Sequence, residues 1–559
     1  MPRVGRQISR RRMLQALGAV GGAGLTLGAL EALGLLSPKS VSPPFRPPAR
    51  TDFGLTGRAN ASVLILGAGI AGLTSAYELE KAGYHCTILE ARDRPGGRNW
   101  TVRHLTSETS LDGVTQTCQF DDGLHMNVGP TRIAQHHITL DYCRELGIPI
   151  HLFNNANIDA YYYLEDAGRL SGQRLRHRAV QADSRGYIAE LLAKAINQGA
   201  LDQDLTPGDA NALLEWLSTT GALTPQNRYV STSARGYHSG AYPGAGLQSG
   251  TLDPPFALSD LLALTTTGSF NLALFLSMFE YDWDQAMPMF EPDGGMDRIP
   301  QALAQTITGP IHYGAQVTSI ENMPSGVQIG FRDRAGADQA EQQASADYCI
   351  CTLPPHLLTR IPNNFPAQTK ADLQVPVPFN AGKIGLQFRR RFWEEDDRIF
   401  GGITYTNLDI LQILYPSQGY LEQKGVVIGY YTFDGAADAL GALTPQQREQ
   451  RALAQGRKIH GAAYQTEFEA SFSNDWRKTR FSEGSWITWP EGARGGPDSP
   501  YGRLLQPAGR IYFAGDYLSY AIAWQHGAFE SARKVVTDLH ARVLSTPPSA
   551  ALIAPDGSD

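Results

Sequence analysis

The chain has 559 residues, 42% of them hydrophobic and 18% charged, with a formal net charge of −7. That length allows two or three domains with cores of their own, in the composition of a globular rather than a disordered protein. The negative balance, spread without a basic stripe, excludes nucleic acid as the expected partner.

The first fifty residues are unlike the rest. Arg10, Arg11 and Arg12 precede an apolar, Gly/Ala-rich run from Ala16 to Leu36 that Glu31 interrupts, and the Pro-rich SPKSVSPPFRPPAR follows. Basic residues ahead of a modest apolar run form an export pattern, so signal and linker, 1–50, are set apart from the fold. Arg10-Arg11 with Met13-Leu14 resembles the twin-arginine signal. That resemblance implies the twin-arginine export machinery as a partner and a periplasmic or secreted bacterial protein, exported already folded around its cofactor. An uncleaved anchor is the competing reading, since the run is nearly long enough to span a bilayer. The five cysteines (Cys86, Cys118, Cys143, Cys349 and Cys351) form no C-x-x-C and read as packing residues, with no metal site.

Ala61 to Trp100, ASVLILGAGIAGLTSAYELEKAGYHCTILEARDRPGGRNW, carries the strongest pattern. Val63 to Leu66 predict a buried parallel strand, and Leu73, Ala76, Tyr77 and Leu79 a helix ended by Gly83. His85 to Leu89 predict a second strand. Gly67 permits the turn, Gly69 admits a pyrophosphate to the backbone, and Gly72 lets the helix pack on the strand. The phosphates then meet the helix N-terminus at Ile70 and Ala71. Glu90, 18 residues past Gly72, ends the second strand, placed to accept from a ribose diol. Ala91, Arg92, Gly96, Gly97 and Arg98 follow, where glycines beside arginine let the backbone run along further phosphates or a ribityl chain.

Here the sequence resembles the flavin amine oxidase family, whose members carry this E-A-x-x-R-x-G-G-R continuation. The likeness runs from Ala61 to about Leu539. It implies FAD and an α/β fold: a Rossmann-type FAD-binding domain (amine oxidase/glutathione-reductase-like) with a mixed-sheet substrate domain and a helical insertion. Gly509 to Leu539 reads as a short strand, a Gly515-Asp516 turn and a helix with Ala528, Ser531, Ala532 and Val535 on one face. The family's acid at this turn accepts from ribityl hydroxyls, and Asp516 stands where Glu is usual. Trp524, Gln525 and His526 begin the helix facing the flavin, His526 by its backbone. HYGAQVTSI matches the family's adenine-clasping region and makes Val317 the adenine contact. Relatives with covalent flavin use a cysteine shortly after the final glycine-acid pair. None follows Cys351, so the FAD is expected to be non-covalent.

The L-amino-acid oxidase subgroup has a G-P-x-R turn beside the flavin whose arginine takes the substrate carboxylate. Gly129-Pro130-Thr131-Arg132 resembles it, and a guanidinium fork suits that bidentate task. The same resemblance makes Tyr415 the second carboxylate ligand, Ala523 the carbonyl that receives the amine, Trp524 its cover, and Lys383 the lysine that assists reoxidation by O₂. An inward lysine on a strand is costly without a task or partner. The expected reaction converts an L-amino acid and O₂ to the 2-oxo acid, ammonia and hydrogen peroxide. In Leu274 to Pro288, Glu280, Asp282 or Asp284 would favour a basic side chain and Phe279, Tyr281 and Trp283 equally an aromatic one, and the expectation leans toward a long side chain with a basic one in view. The rivals are an amino-acid 2-monooxygenase giving the amide, an oxidase of plain amines, and an exported flavin-binding protein without turnover.

The FAD-binding domain is expected to be discontinuous over 60–105, 285–360 and 480–545, with substrate-domain segments at 110–165 and 365–478. A helical domain at 166–270 and a flexible tail at 546–559 complete the expectation, with homo-oligomerisation left open.

Overall fold

The computed structural model describes residues 53–236, 252, 254–265, 284–334 and 340–545. The export segment, the tail and Phe279 to Trp283 lie outside the described residues.

The first sheet is built as its sequence dictates. β1 (Ser62–Leu66) is buried from Val63 onward, as a strand covered on both faces must be. It feeds through Gly67, at φ +100°, into α1 (Ile70–Lys81), and β2 (His85–Glu90) returns parallel to β1. A Cβ on Gly72 would lie 2.0 Å from the Gly67 carbonyl oxygen, so only glycine lets α1 close onto the turn. Ile311–Tyr313, Tyr348–Cys351 and Ile511–Phe513 complete five parallel strands, with β1 between β2 and Tyr348–Cys351. The long helix α2 (Gln525–Ser545) joins α1 in one apolar core through Phe529, Ala532, Val536 and Leu539. Complete burial of Phe529 and Leu539 is worth about 1.5–3 kcal/mol each.

The second sheet has seven strands of mixed direction. Four of them form its working centre: β3 (Ala381–Phe388), β4 (Ile403–Thr406), β5 (Gln412–Leu414) and β6 (Gly425–Phe433). Phe468–Asp475 flanks β3, and Tyr161–Tyr163 and Leu175–Arg176 extend the other edge. Side chains alternate between the two faces of a strand. The register sets Ala381 beside Phe433, Lys383 beside Tyr431, and Tyr405 beside Gln412, all on the face toward the first sheet. Ile384, Leu386, Phe388, Ile413 and Tyr430 fill a separate core on the other face. Two pairings cross the boundaries drawn from sequence. Leu175–Arg176, placed in the helical span, joins this sheet, and Pro288–Pro292 pairs with Ile150–Asn154. All five cysteines are buried and free. Among the described residues no group of His, Cys, Asp and Glu is arranged to hold a metal ion.

Candidate active site

A cavity of about 1200 Å³ runs from the carboxyl ends of the parallel strands to the inner face of the mixed sheet. Its first half is a cradle for a dinucleotide. A Cβ on Gly69 would meet nothing within 4 Å, which leaves open room before the N-terminus of α1, where backbone N–H groups favour an anion. Glu90 closes this end of the parallel sheet: its carboxylate accepts from Ala68 N at 2.7 Å and Arg92 N at 2.8 Å. Arg92 donates to Arg480 O and Ser482 Oγ, each at 2.7 Å, and burial pulls its pKa below the usual guanidinium value. Arg98 pairs with Asp516 and donates to Ser485 O at 2.8 Å. Asp516 also accepts from Ala523 N at 3.1 Å. The buried side-chain amides of Asn99 and Gln525 border the cavity, and neither has a hydrogen-bond partner among the described residues. Each such orphan costs about 1–3 kcal/mol, so the wall is shaped for a polar ligand that satisfies them.

The second half is smaller and differently charged. Arg132 reaches it from the Gly129–Thr131 turn and donates to Gln285 Oε1 at 3.1 Å. Its Nε has no partner among the described residues, and its Cζ lies 5.8 Å from the centre of the Trp524 ring. The Trp524 side chain is hydrogen-bonded to Asp284, whose carboxyl burial pushes up. Lys383 is 2% exposed, and Nζ donates to Asn127 O at 3.2 Å and to Gly129 O. Burial, reinforced by the Arg132 charge, holds its pKa well below the usual lysine value. Tyr431 on β6 and Tyr405 on β4, with β5 between them, face the same space.

Residues 70–540 match the family described as flavin containing amine oxidoreductase. The chain belongs to that family. The family implies a flavin cofactor, and the protein is a flavin-dependent oxidase. It is 26% identical over 501 residues to the flavin-dependent L-tryptophan oxidase RebO of Lentzea aerocolonigenes, covering 87% of this chain and 99% of that one. An L-amino acid oxidase of Bothrops pictus is 26% identical over 493 residues, with 86% of this chain and 90% of the relative covered. Cyclohexylamine oxidase from Brevibacterium oxydans IH-35A shares the fold at a TM-score of 0.56 and 18% identity, over 87% of this chain and all of the other.

In this flavoenzyme the cavity gathers Gly67, Gly69, Ile70, Ala71, Glu90, Ala91, Arg92, Gly97, Arg98, Gly129, Pro130, Thr131, Arg132, Val317, Lys383, Gly515, Asp516, Ala523, Trp524 and Gln525. Three expected residues are elsewhere. Gly72 is spent on helix packing. Tyr415 is not a cavity residue: one step off the parity of Gln412, its side chain enters the opposite core, and its hydroxyl bonds Thr404 Oγ1 and His460 Nε2, each at 2.8 Å. His526 is fully buried behind the wall, its ring stacked on His137 at 4.6 Å and bonded to Tyr520 Oη at 2.6 Å. Tyr405, Tyr431, Gln412, Gln285 and Asn99 are among the cavity residues that the sequence reading missed. Strand register would have pointed to Tyr405, since it sits opposite Gln412 on the cavity face.

Ala523 adopts φ +68°, a left-handed conformation that a methyl group resists by roughly 1–2 kcal/mol. Ala523→Gly is expected to stabilise the folded flavoenzyme by roughly 1 kcal/mol, read from its urea unfolding midpoint; a lower midpoint contradicts the strain. A second expectation comes from the histidines behind Trp524. Burial lowers the pKa of His136 and His526 from 6.5 to about 4 and that of His137 to about 2, with Arg533 further opposing a proton on His526. The unfolded chain therefore takes up protons that the folded one refuses, and stability falls as pH drops from 6.5 to about 4. His136→Gln should make that decline shallower, and an unchanged slope counts against this linkage.

Proposed function

We propose that the protein is an L-amino-acid oxidase that holds FAD without a covalent bond and converts its substrate to the 2-oxo acid, ammonia and hydrogen peroxide. The observation that carries this reading is Arg132: it lines the cavity beside Lys383 and Trp524 and donates to Gln285, while the Asp284 carboxyl that feels its charge is hydrogen-bonded to Trp524. An oxidase of plain amines has no use for such a cation. A substrate carboxylate satisfies it bidentately and fixes one pose. The L-tryptophan and L-amino acid oxidases among the relatives point the same way.

Each residue then has a task. Arg132 forks the carboxylate, and Tyr405 takes the supporting place that Tyr415 does not, its phenol on the same face as the guanidinium's field. The Ala523 carbonyl accepts from the substrate amine, held by the left-handed turn and by the Ala523 N–H bond to Asp516. Trp524, steadied by Asp284 and His137, covers the site and excludes water. Arg98, Asp516, Asn99 and Gln525 are placed to hold the ribityl and ring portions of FAD, and Glu90 the adenosine ribose. When bound there, FAD supplies the two-electron acceptor for the Cα–H and passes the electrons to O₂. Positioning provides most of the rate, and Lys383 assists the return to O₂. A long side chain, with a basic one in view, is the substrate class this reading favours. Twin-arginine export to the periplasm or medium belongs to the same reading, supported by Arg10-Arg11.

Arg132→Ala is expected to lower kcat/KM for L-amino acids by roughly a hundredfold or more in a peroxide assay, since two charge-assisted bonds are lost. Turnover within a few-fold of the wild type would remove the carboxylate from the mechanism, and amide in place of peroxide would make the protein a monooxygenase.

A further inference from the structure

Lys383 spans the two halves of the molecule. From β3 its side chain crosses to the flavin side, where Nζ donates to the carbonyl oxygens of Asn127 and Gly129. Asn127 ends the strand His125–Asn127, and Gly129 opens the turn that carries Arg132. Three further restraints on that turn come from the flavin side. Val128 and Gly129 donate to Trp100 O at 3.0 and 3.2 Å. A Cβ on Gly129 would lie 2.0 Å from Arg98 O, so the turn is seated directly on the backbone beside the flavin cradle. Past Arg132, Ile133 exchanges two backbone hydrogen bonds with Phe290, at 2.7 and 2.9 Å. Lys383 adds the tie to the mixed sheet, where its Nζ also lies 4.5 Å from the centre of the Tyr431 ring.

We propose that Lys383 is a positioning residue for the substrate carboxylate: by holding the Gly129 carbonyl it sets the distance from the Arg132 guanidinium to the mixed sheet. The inference rests on Arg132 being the carboxylate clamp and is separate from the assistance Lys383 gives to reoxidation. The physical reason is directional. A bidentate guanidinium–carboxylate pair tolerates little tilt. A turn released from Lys383 keeps its seat on Arg98 but loses its register to the sheet on which the substrate lies. Two carbonyl acceptors on one amine fit this task, because the Nζ donors serve both at once.

The probe is benzoate, a carboxylate without an amine, titrated into the flavin-loaded protein and followed by the change in the flavin's visible absorption. No turnover and no O₂ step enters the signal. Lys383→Met is expected to weaken benzoate binding roughly tenfold to a hundredfold. Lys383→Arg, which keeps donors for the carbonyls, should fall between Lys383→Met and the wild type, and Arg132→Ala should lose binding altogether. Affinities are compared at matched flavin content, and Lys383→Gln replaces Lys383→Met if the latter retains no flavin. Wild-type affinity in Lys383→Met or Lys383→Gln alongside loss in Arg132→Ala overturns the positioning role alone. Wild-type affinity in Arg132→Ala overturns the clamp on which it rests.

Discussion

The guanidinium of Arg132 is held at the wall of a cavity with an amide, an indole and the Lys383 amine for neighbours, and among the described residues no carboxylate forms an ion pair with it. A cation so placed is expensive unless a ligand supplies the missing negative charge. Much of the surrounding architecture reads as the means of keeping that cation in place and unneutralised. The Gly129–Thr131 turn rests on the backbone at Arg98, and Asp284, the acid that could quench the charge, is engaged by Trp524. Lys383 serves the turn through its bonds to the Asn127 and Gly129 carbonyls.

The cavity divides its labour along its length. At the carboxyl ends of the parallel strands the charges are already matched: Arg98 with Asp516, and Glu90 with the backbone N–H groups of Ala68 and Arg92. What is left open there is a phosphate-sized gap at Gly69 and two unpartnered amides. Those are demands a large neutral-to-anionic cofactor meets. At the mixed sheet the demand is for a single negative charge beside apolar and aromatic walls. The Ala523 turn joins the two ends, since Asp516 binds both Arg98 and the Ala523 N–H. Strain stored at that turn is small beside the loss of pose if it relaxed.

The dinucleotide end was legible in the sequence because its requirements are local. Gly67, Gly69, Gly72 and Glu90 belong to one strand–turn–helix–strand unit, and each acts within a few residues of its neighbours in the chain. Arg132 was picked out by the resemblance of its G-P-x-R turn, not by the turn itself, and the fold brings it to the cavity wall. Tyr415 was misplaced for a physical reason: a period of two reverses a side chain's face with each residue, and matching a motif does not fix that parity. Tyr405 was invisible because its position depends on pairing with Gln412 across a hairpin. Asn99 and Gln525 revealed themselves only as buried amides without partners, which is a property of packing. His526 followed the helix start correctly in sequence, but its ring turned behind the wall to stack on His137.

The central claim is that this flavin site selects for a carboxylate next to the amine it oxidises. It is tested most directly without oxygen, by adding L-amino acids, their D-forms and simple amines to the flavin-loaded protein and watching the flavin's visible absorption. Bleaching by at least one L-amino acid, with none from its D-form or from the amine lacking the carboxylate, is the predicted result. Bleaching by the simple amine with no response to any L-amino acid would contradict it.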